Sequence, residues 1–217
     1  MFRRPVPGGR IINEIARHLF MSKRPIPKRA WQRMLSGRRL DLLDPSPLDI
    51  EIADIAHGLA RVARWNGQTK GAHAFSVAQH CVLVERLTAE ISPRLSRAGR
   101  LTALLHDAPE FVIGDLISPF KAAVGIDYKD FELRLLAAIH LRFGLPAKPS
   151  AELLALIKKA DTYAAYHEAT QLAGFSAEEA RRYFGSPPAS LKAPRLTPLS
   201  TAEAQSQFLE RFKRLID

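Results

Sequence analysis

The chain has 217 residues, enough for one large hydrophobic core, and 47% of them are hydrophobic and 25% charged, as in folded globular proteins. These proportions exclude a disordered chain, a collagen and a coiled-coil rod. The single cysteine, Cys81, excludes an intramolecular disulfide and a cysteine-rich zinc site, so His and carboxylate side chains must hold any metal. No apolar run approaches the roughly 20 residues of a bilayer span, and the N-terminus lacks an apolar signal core. We therefore expect a cytoplasmic protein with no membrane partner.

The formal net charge of +10 comes from the N-terminal part of the chain. Residues 1–39 hold 11 Lys or Arg and one acid, Glu14, whereas residues 40–217 hold 21 of each sign. We interpret residues 1–45 as a partly ordered basic arm and residues 46–217 as one folded domain. The arm is either a solvated extension or a contact for nucleic-acid phosphates, because each neutralised phosphate releases counterions.

Helix-start signals recur along the domain, whereas strand signals do not. The serines that begin predicted helices are Ser46, Ser76, Ser92, Ser176 and Ser200. The first of these helices is expected to extend to about residue 64. The helices predicted to begin at Ser76, Ser176 and Ser200 fit the capping-box pattern, in which Glu or Gln lies three residues after the serine. Residues 127–143 and 150–173 are predicted to form two further long helices, so the expected fold is an all-α helical bundle.

Ionisable side chains interrupt the apolar stripes of three of these helices. In the helix over 150–173 the stripe runs from Leu153 and Ile157 to Asp161. His80 lies on the apolar face of the helix after Ser76, and the third helix runs directly into His106 and Asp107. A single such residue is more often a satisfied core histidine or a hydrogen-bonded acid, but three helices that each point one inward indicate a shared site.

Two imidazoles and two carboxylates that converge from separate helices form an N2O2 ligand set. The predicted ligands are His80, His106, Asp107 and Asp161. This set suits one divalent transition metal, namely Mn, Co, Fe or Zn, with Mg as a further candidate, better than it suits a structural zinc.

A second polar group follows the His106-Asp107 pair. Glu110 lies one helical turn after His106, where its carboxylate can orient or deprotonate a water. Asp115 can bind a water or assist the leaving oxygen, and Lys121 can hold a phosphate as a point charge. The alternative interpretation of Glu110 is an exposed acid at a helix end, and that of Lys121 is a solvated loop base.

Arg64 and Trp65 end the first predicted helix of the domain. An Arg for phosphate beside an aromatic ring for a base is a nucleotide-binding arrangement, although Trp65 can equally be a core side chain.

These motifs resemble the HD-domain phosphohydrolases, an all-α family with an H…HD…D metal constellation. The sequence is most similar to the bacterial HD-domain 5'-deoxynucleotidases and the phage-type HD enzymes that remove phosphates from deoxynucleotides. The resemblance spans about residues 45–175. It depends on RW at 64–65, SVAQH at 76–80, HDAPE at 106–110, GDLISPFK at 114–121 and AD at 160–161, with Glu168 beyond.

The resemblance implies a metal-dependent phosphohydrolase, a 5'-nucleotidase that acts on (deoxy)ribonucleoside monophosphates by attack of a metal-bound water. It implies that the four residues named above bind the metal, that Glu110 positions the water and that Asp115 is a second acidic participant. It also implies that Arg64 and Lys121 contact phosphate and that Trp65 forms part of the sugar or base pocket. Many relatives have a Glu before the first ligand His, where this chain has Gln79. HD nucleotidases are often dimers, so the resemblance suggests a homodimer.

Two other functions are open at this point. The first is a deoxynucleoside triphosphate triphosphohydrolase, which needs further basic groups such as Lys70. The second is a nucleic-acid-associated protein that uses residues 1–39.

Overall fold

The computed structural model describes residues 30–115 and 127–217, and this part of the chain is mostly helical, so the predicted all-α class is confirmed. Lys121 and most of the expected basic arm lie outside the described residues. The described elements are β1 (Trp31–Arg33), β2 (Arg39–Asp41), α1 (Ile52–Leu59), α2 (Val77–Ile91), α3 (Arg97–Leu104), α4 (Glu110–Ile113), α5 (Asp127–Arg142), α6 (Ala151–Gln171), α7 (Ala177–Phe184) and α8 (Thr201–Ile216).

The antiparallel hairpin β1–β2 was not expected from the sequence. Its turn contains Gly37 at φ 86°, and Ser36 in the same turn binds both carboxylate oxygens of the buried Asp54 in α1. Leu40 is fully buried in the main core. The compact unit therefore begins at Trp31 rather than at residue 46, and the last part of the expected arm packs with the helices.

The predicted helix from Ser46 to about residue 64 is divided in the structure. Ser46 caps only a 3₁₀ turn, Pro47–Asp49, after which Ile50 is extended at φ −103° and ψ 123°. The carbonyl of Ile50 accepts a hydrogen bond from Arg142 Nε of α5, so a tertiary contact holds the break. Helix α1 then covers only Ile52–Leu59.

The third predicted helix begins later than its sequence signal indicates. Ser92 instead caps the C-terminal end of the preceding helix, where its N–H bonds to the carbonyl of Thr88. The N-cap of α3 is Ser96, whose side chain accepts from the N–H of Gly99.

The capping boxes at Ser176 and Ser200 are formed as predicted. The expected box at Ser76 is only half formed. Ser76 accepts from the N–H of Gln79, but the Gln79 amide binds the backbone of Thr197 and Leu199 instead of the Ser76 N–H. A polar side chain that the sequence assigns to a local cap thus fixes a distant segment.

Helix α2 is the central helix of the bundle. Every residue from Val77 to Glu85 is buried, and α2 packs against α3, α6 and α8. Within the described residues, none of the helices is both long and apolar enough to cross a membrane.

Candidate metal centre

Three helices bring the predicted metal ligands together. His80 lies in the first turns of α2, whose N-terminus is fixed by the Ser76 cap. His106 and Asp107 follow directly after α3, and Asp161 lies in the middle of α6. Because α2 packs against both α3 and α6, the ligand side chains meet at these two helix contacts.

His80, His106 and Asp161 form a group whose ligand atoms all lie within 4.8 Å of one another, so the structure contains a candidate metal-binding triad. The fourth predicted ligand lies beside it. Asp107 Oδ2 is 3.2 Å from His106 Nε2 and 3.4 Å from His80 Nε2, and Asp161 Oδ1 is also 3.4 Å from His80 Nε2. The outer oxygen of Asp161 accepts from the exposed Lys158 Nζ at 2.8 Å.

The two imidazoles present the same nitrogen to this group. His80 Nδ1 is 2.6 Å from Glu168 Oε1, and His106 Nδ1 is 2.9 Å from the carbonyl of Ala103. Both acceptors favour a proton on Nδ1, which leaves each Nε2 facing the carboxylates. In the part of the chain that the structure describes, both Nε2 atoms are buried without a hydrogen-bond partner.

Glu168 is a residue of this centre to which sequence reasoning assigned no role. It is fully buried, and its contact with His80 Nδ1 fixes the tautomer and direction of a ligand imidazole. The signal was present, since Glu168 lies two helical turns after Asp161 on the same side of α6. Gln79 is neutral and places no charge beside His80, as the sequence indicated. Glu168 of α6 places a negative charge there instead.

Arg64 lies between two carboxylates of the centre. Its Nε is 3.3 Å from Glu168 Oε2, and its Nη1 is 3.0 Å from Asp115 Oδ2. The structure thus pairs two residues for which separate roles were predicted, Arg64 for phosphate and Asp115 as an acid. Glu168 and Asp115 together raise the pKa of the Arg64 guanidinium against the effect of burial, so this side chain is always charged.

Trp65 adopts a backbone conformation that is rare for a bulky residue, with φ 56°, and Asn66 follows at φ 50°. In this position the indole Nε1 donates to Glu168 Oε2 at 2.9 Å. The ring packs against Phe175 and Phe184, with centroid distances of 5.6 and 5.9 Å. Trp65 therefore helps to fix the Glu168 carboxylate, which in turn contacts His80 Nδ1.

Glu110 is the first residue of α4 and is 1% exposed, so it is not the exposed helix-end acid of the alternative interpretation. Its N–H bonds to the carbonyl of Asp107, which places it one turn beyond a predicted ligand. Lys70 is exposed, and its backbone N–H bonds to the carbonyl of Leu172.

The carboxylates of the centre favour positive charge on both imidazoles. Burial and Arg64 lower the pKa of His80, but the surrounding carboxylates outweigh them and raise this pKa well above its ordinary value. For His106, burial also lowers the pKa, and Asp107 raises it to about 10.

The same contacts act in the opposite direction on the acids. Burial raises the pKa of each carboxylate, but the imidazoles hold the pKa values of Asp107 and Asp161 below their ordinary range. Arg64 and His80 lower the pKa of Glu168 to about 2 despite its burial.

The arrangement fits a divalent cation. Two buried Nε2 atoms without hydrogen-bond partners among the described groups face ionised carboxylates, and these atoms are N and O ligands of the type that transition metals bind. Positive charge at this place is favourable whether protons or a metal ion supply it.

Comparison with protein-family models gives no match. The chain is 64% identical over 160 residues to a Rhodobacter capsulatus protein with the name "Uncharacterized protein RCAP_rcc00048", and the match covers 74% of this chain and 82% of that protein. The chain therefore belongs to the family of this protein. It is also 37% identical over 98 residues to "Uncharacterized protein YfdR" of Escherichia coli, which covers 45% of this chain and 49% of that protein.

Proposed function

We propose that this protein is a metal-dependent phosphohydrolase of the HD type, a 5'-nucleotidase that acts on (deoxy)ribonucleoside monophosphates. The observation that carries the proposal is the pair of buried imidazoles, His80 and His106, whose Nε2 atoms face Asp107 and Asp161. The order of these residues in the chain is that of the HD constellation. The metal is Mn, Co, Fe or Zn, or Mg, because an N2O2 set suits borderline divalent ions.

A divalent ion bound here supplies Lewis-acid activation of a phosphoryl oxygen and of a water. The chain holds and directs it through side chains with fixed orientations. Glu168 and the Ala103 carbonyl hold the two imidazoles in the tautomer that leaves Nε2 able to bind.

Glu110 takes the proton of the attacking water on its carboxylate. This assignment is supported by its burial and by its position one turn after Asp107, where a carboxylate is shielded from bulk water. Arg64, which is always charged, offsets negative charge on the phosphate oxygens, and Lys121 is the second phosphate contact.

The test is phosphate release by metal-stripped protein supplemented in turn with Mn, Co, Mg and Zn. The substrates are deoxy- and ribonucleoside mono- and triphosphates. We expect orthophosphate from the monophosphates with at least one metal. Release of triphosphate from deoxynucleoside triphosphates would support the triphosphohydrolase in place of the nucleotidase. No release from any substrate would contradict both functions.

Glu110→Gln separates metal binding from turnover in the same assay. We expect this variant to bind metal like the wild type and to lose about 10²–10⁴-fold in rate, the usual contribution of a positioned proton acceptor. Full activity of Glu110→Gln would contradict the role of this residue but not the metal centre.

A further inference from the structure

A cavity of about 300 Å³ lies beyond the metal centre along α2, between this helix and the segment of residues 192–199. Leu83, Leu87, Ala193 and Pro194 form apolar parts of its lining. A second cavity of about 200 Å³ shares Leu83, Pro194 and two arginines with the first. Together they are in the size range of small-molecule sites, which are concave and mostly apolar with a few converging polar groups.

The charged groups of the first cavity are mostly cations. Arg86, Lys192 and Arg195 line it, against one acid, Glu90. None of the three cations forms an ion pair with an acid in residues 30–115 or 127–217. Arg86 also lines a third adjoining cavity together with Arg214, one acid, Glu210, and Arg211, which is paired with Glu85. The lining therefore favours a ligand with several negative charges.

The wall formed by residues 192–199 is held in place by two glutamines. Gln79 Nε2 donates to the carbonyl of Thr197 at 2.9 Å, and its Oε1 accepts from the N–H of Leu199 at 3.1 Å. Gln171 does the same with the carbonyl of Pro194 and the N–H of Leu196. Because both amides use their donor and their acceptor on backbone, the wall is fixed before a ligand binds, which lowers the entropy cost of binding.

We propose that this cavity is a binding site for a nucleoside triphosphate, separate from the metal centre. The apolar lining from Leu83, Leu87 and Pro194 takes the base and sugar. Arg86, Arg195 and Lys192 bind the phosphates, where Arg guanidinium groups match phosphate oxygens in pairs. An amphiphilic ligand is favoured over a simple polyanion, because the cations lie beside an apolar surface that a bare polyphosphate would leave in water.

The test measures binding of ATP to the full chain by calorimetry in EDTA, so that the metal centre does not contribute. We compare the double variant Arg86→Ala/Arg195→Ala with Arg94→Ala/Arg97→Ala, which removes two exposed arginines that do not line the cavity. Both variants lose the same charge, and both retain residues 1–39, so nonspecific attraction of phosphate is equal in the two.

We expect one ATP per chain in the wild type and in the Arg94/Arg97 variant, and a loss of at least about tenfold in affinity in the Arg86/Arg195 variant. Ala193→Glu, a change at an exposed wall residue, should weaken the binding of ATP by a similar factor.

Equal affinities of the two double variants for ATP would overturn the proposal. Inorganic tripolyphosphate that binds as tightly as ATP would overturn the nucleotide as the ligand class. The metal-dependent phosphate release described above is measured separately, so failure of either proposal leaves the other open to its own test.

Discussion

Helix α2 carries two buried charged clusters, one around His80 and one around Glu85, and they differ in how their charges are satisfied. Glu85 is fully buried, and each of its oxygens accepts from an arginine, Arg100 Nε at 2.7 Å and Arg211 Nε. The His80 cluster contains several carboxylates and leaves two imidazole nitrogens without hydrogen bonds to described groups.

The difference separates buried charge that the chain neutralises itself from buried charge that is arranged to accept a cation. In the Glu85 cluster the chain supplies all of the positive charge itself, and the result joins α2, α3 and α8. In the His80 cluster the carboxylates raise imidazole pKa values and hold ligand atoms toward one point, which is useful only where a cation binds. The following predictions test this contrast, from the largest expected effect to the smallest.

His106→Ala removes one of the two Nε2 ligands and should abolish metal binding and phosphate release, because three remaining groups hold a divalent ion poorly in competition with water. Metal content after dialysis and the rate with each metal measure this. His73→Ala removes an exposed imidazole and should change neither. Retention of one metal per chain in His106→Ala would contradict the assignment.

Glu85→Ala should lower the free energy of unfolding by about 3 kcal/mol, the lower end for breaking a buried ion pair, since the two arginines are partly exposed and can turn toward water. Urea unfolding of the full chain in EDTA measures it. Metal stoichiometry should stay at the wild-type value. Glu90→Ala, at an exposed acid on the same helix, should stay within about 0.5 kcal/mol of the wild type.

Glu168→Gln should weaken metal binding by about 10–100-fold, the usual effect of removing a carboxylate that orients a ligand histidine. The amide oxygen can still accept from His80 Nδ1, but the amide nitrogen cannot accept from Trp65 or Arg64. Metal titration gives the affinity, and Glu178→Gln in α7 is the matched exposed control. An unchanged affinity would mean that Glu168 serves only to pack Arg64.

Metal binding should strengthen as the pH rises. The pKa of His106 is raised from 6.5 to about 10, so stability from its protonated form is fully present below pH 6.5 and is lost as the pH rises through about 10. A metal ion must displace this proton, so its affinity should rise by about tenfold per pH unit for each proton displaced over that window. Titrations with Mn²⁺ at pH 6.5, 7.5 and 8.5 measure the slope, and a flat profile would contradict it.

The parts of the fold that were predicted correctly depend on local patterns. The two long helices over 127–143 and 150–173 appear as α5 and α6 with small differences in their bounds, because their length and apolar periodicity outweigh single contacts. The capping boxes at Ser176 and Ser200 involve only residues three apart. In contrast, the helix predicted from Ser46 is broken at Ile50 by Arg142, which is 92 residues away in the chain.

In the candidate site, too, local sequence patterns predicted some features and not others. The inward positions of His80 and Asp161 follow from helical spacing, and the sequence was sufficient to place them on apolar faces. The pairing of Arg64 with Asp115, and the position of Trp65 against Phe175 and Phe184, did not follow from any local pattern. The hairpin β1–β2 was missed because three-residue strands are too short for their alternation to be recognised.

The sequence by itself determined the helical class, the types of ligand side chain and the faces on which they lie, because a period of 3.6 residues and a buried carboxylate are properties of short segments. For His106 a local carbonyl, that of Ala103, selects the nitrogen that is left to bind a metal, but for His80 tertiary structure alone decided it. That choice depends on the hydrogen bond between His80 Nδ1 and Glu168 Oε1, whose residues are 88 positions apart and meet only when α2 packs against α6.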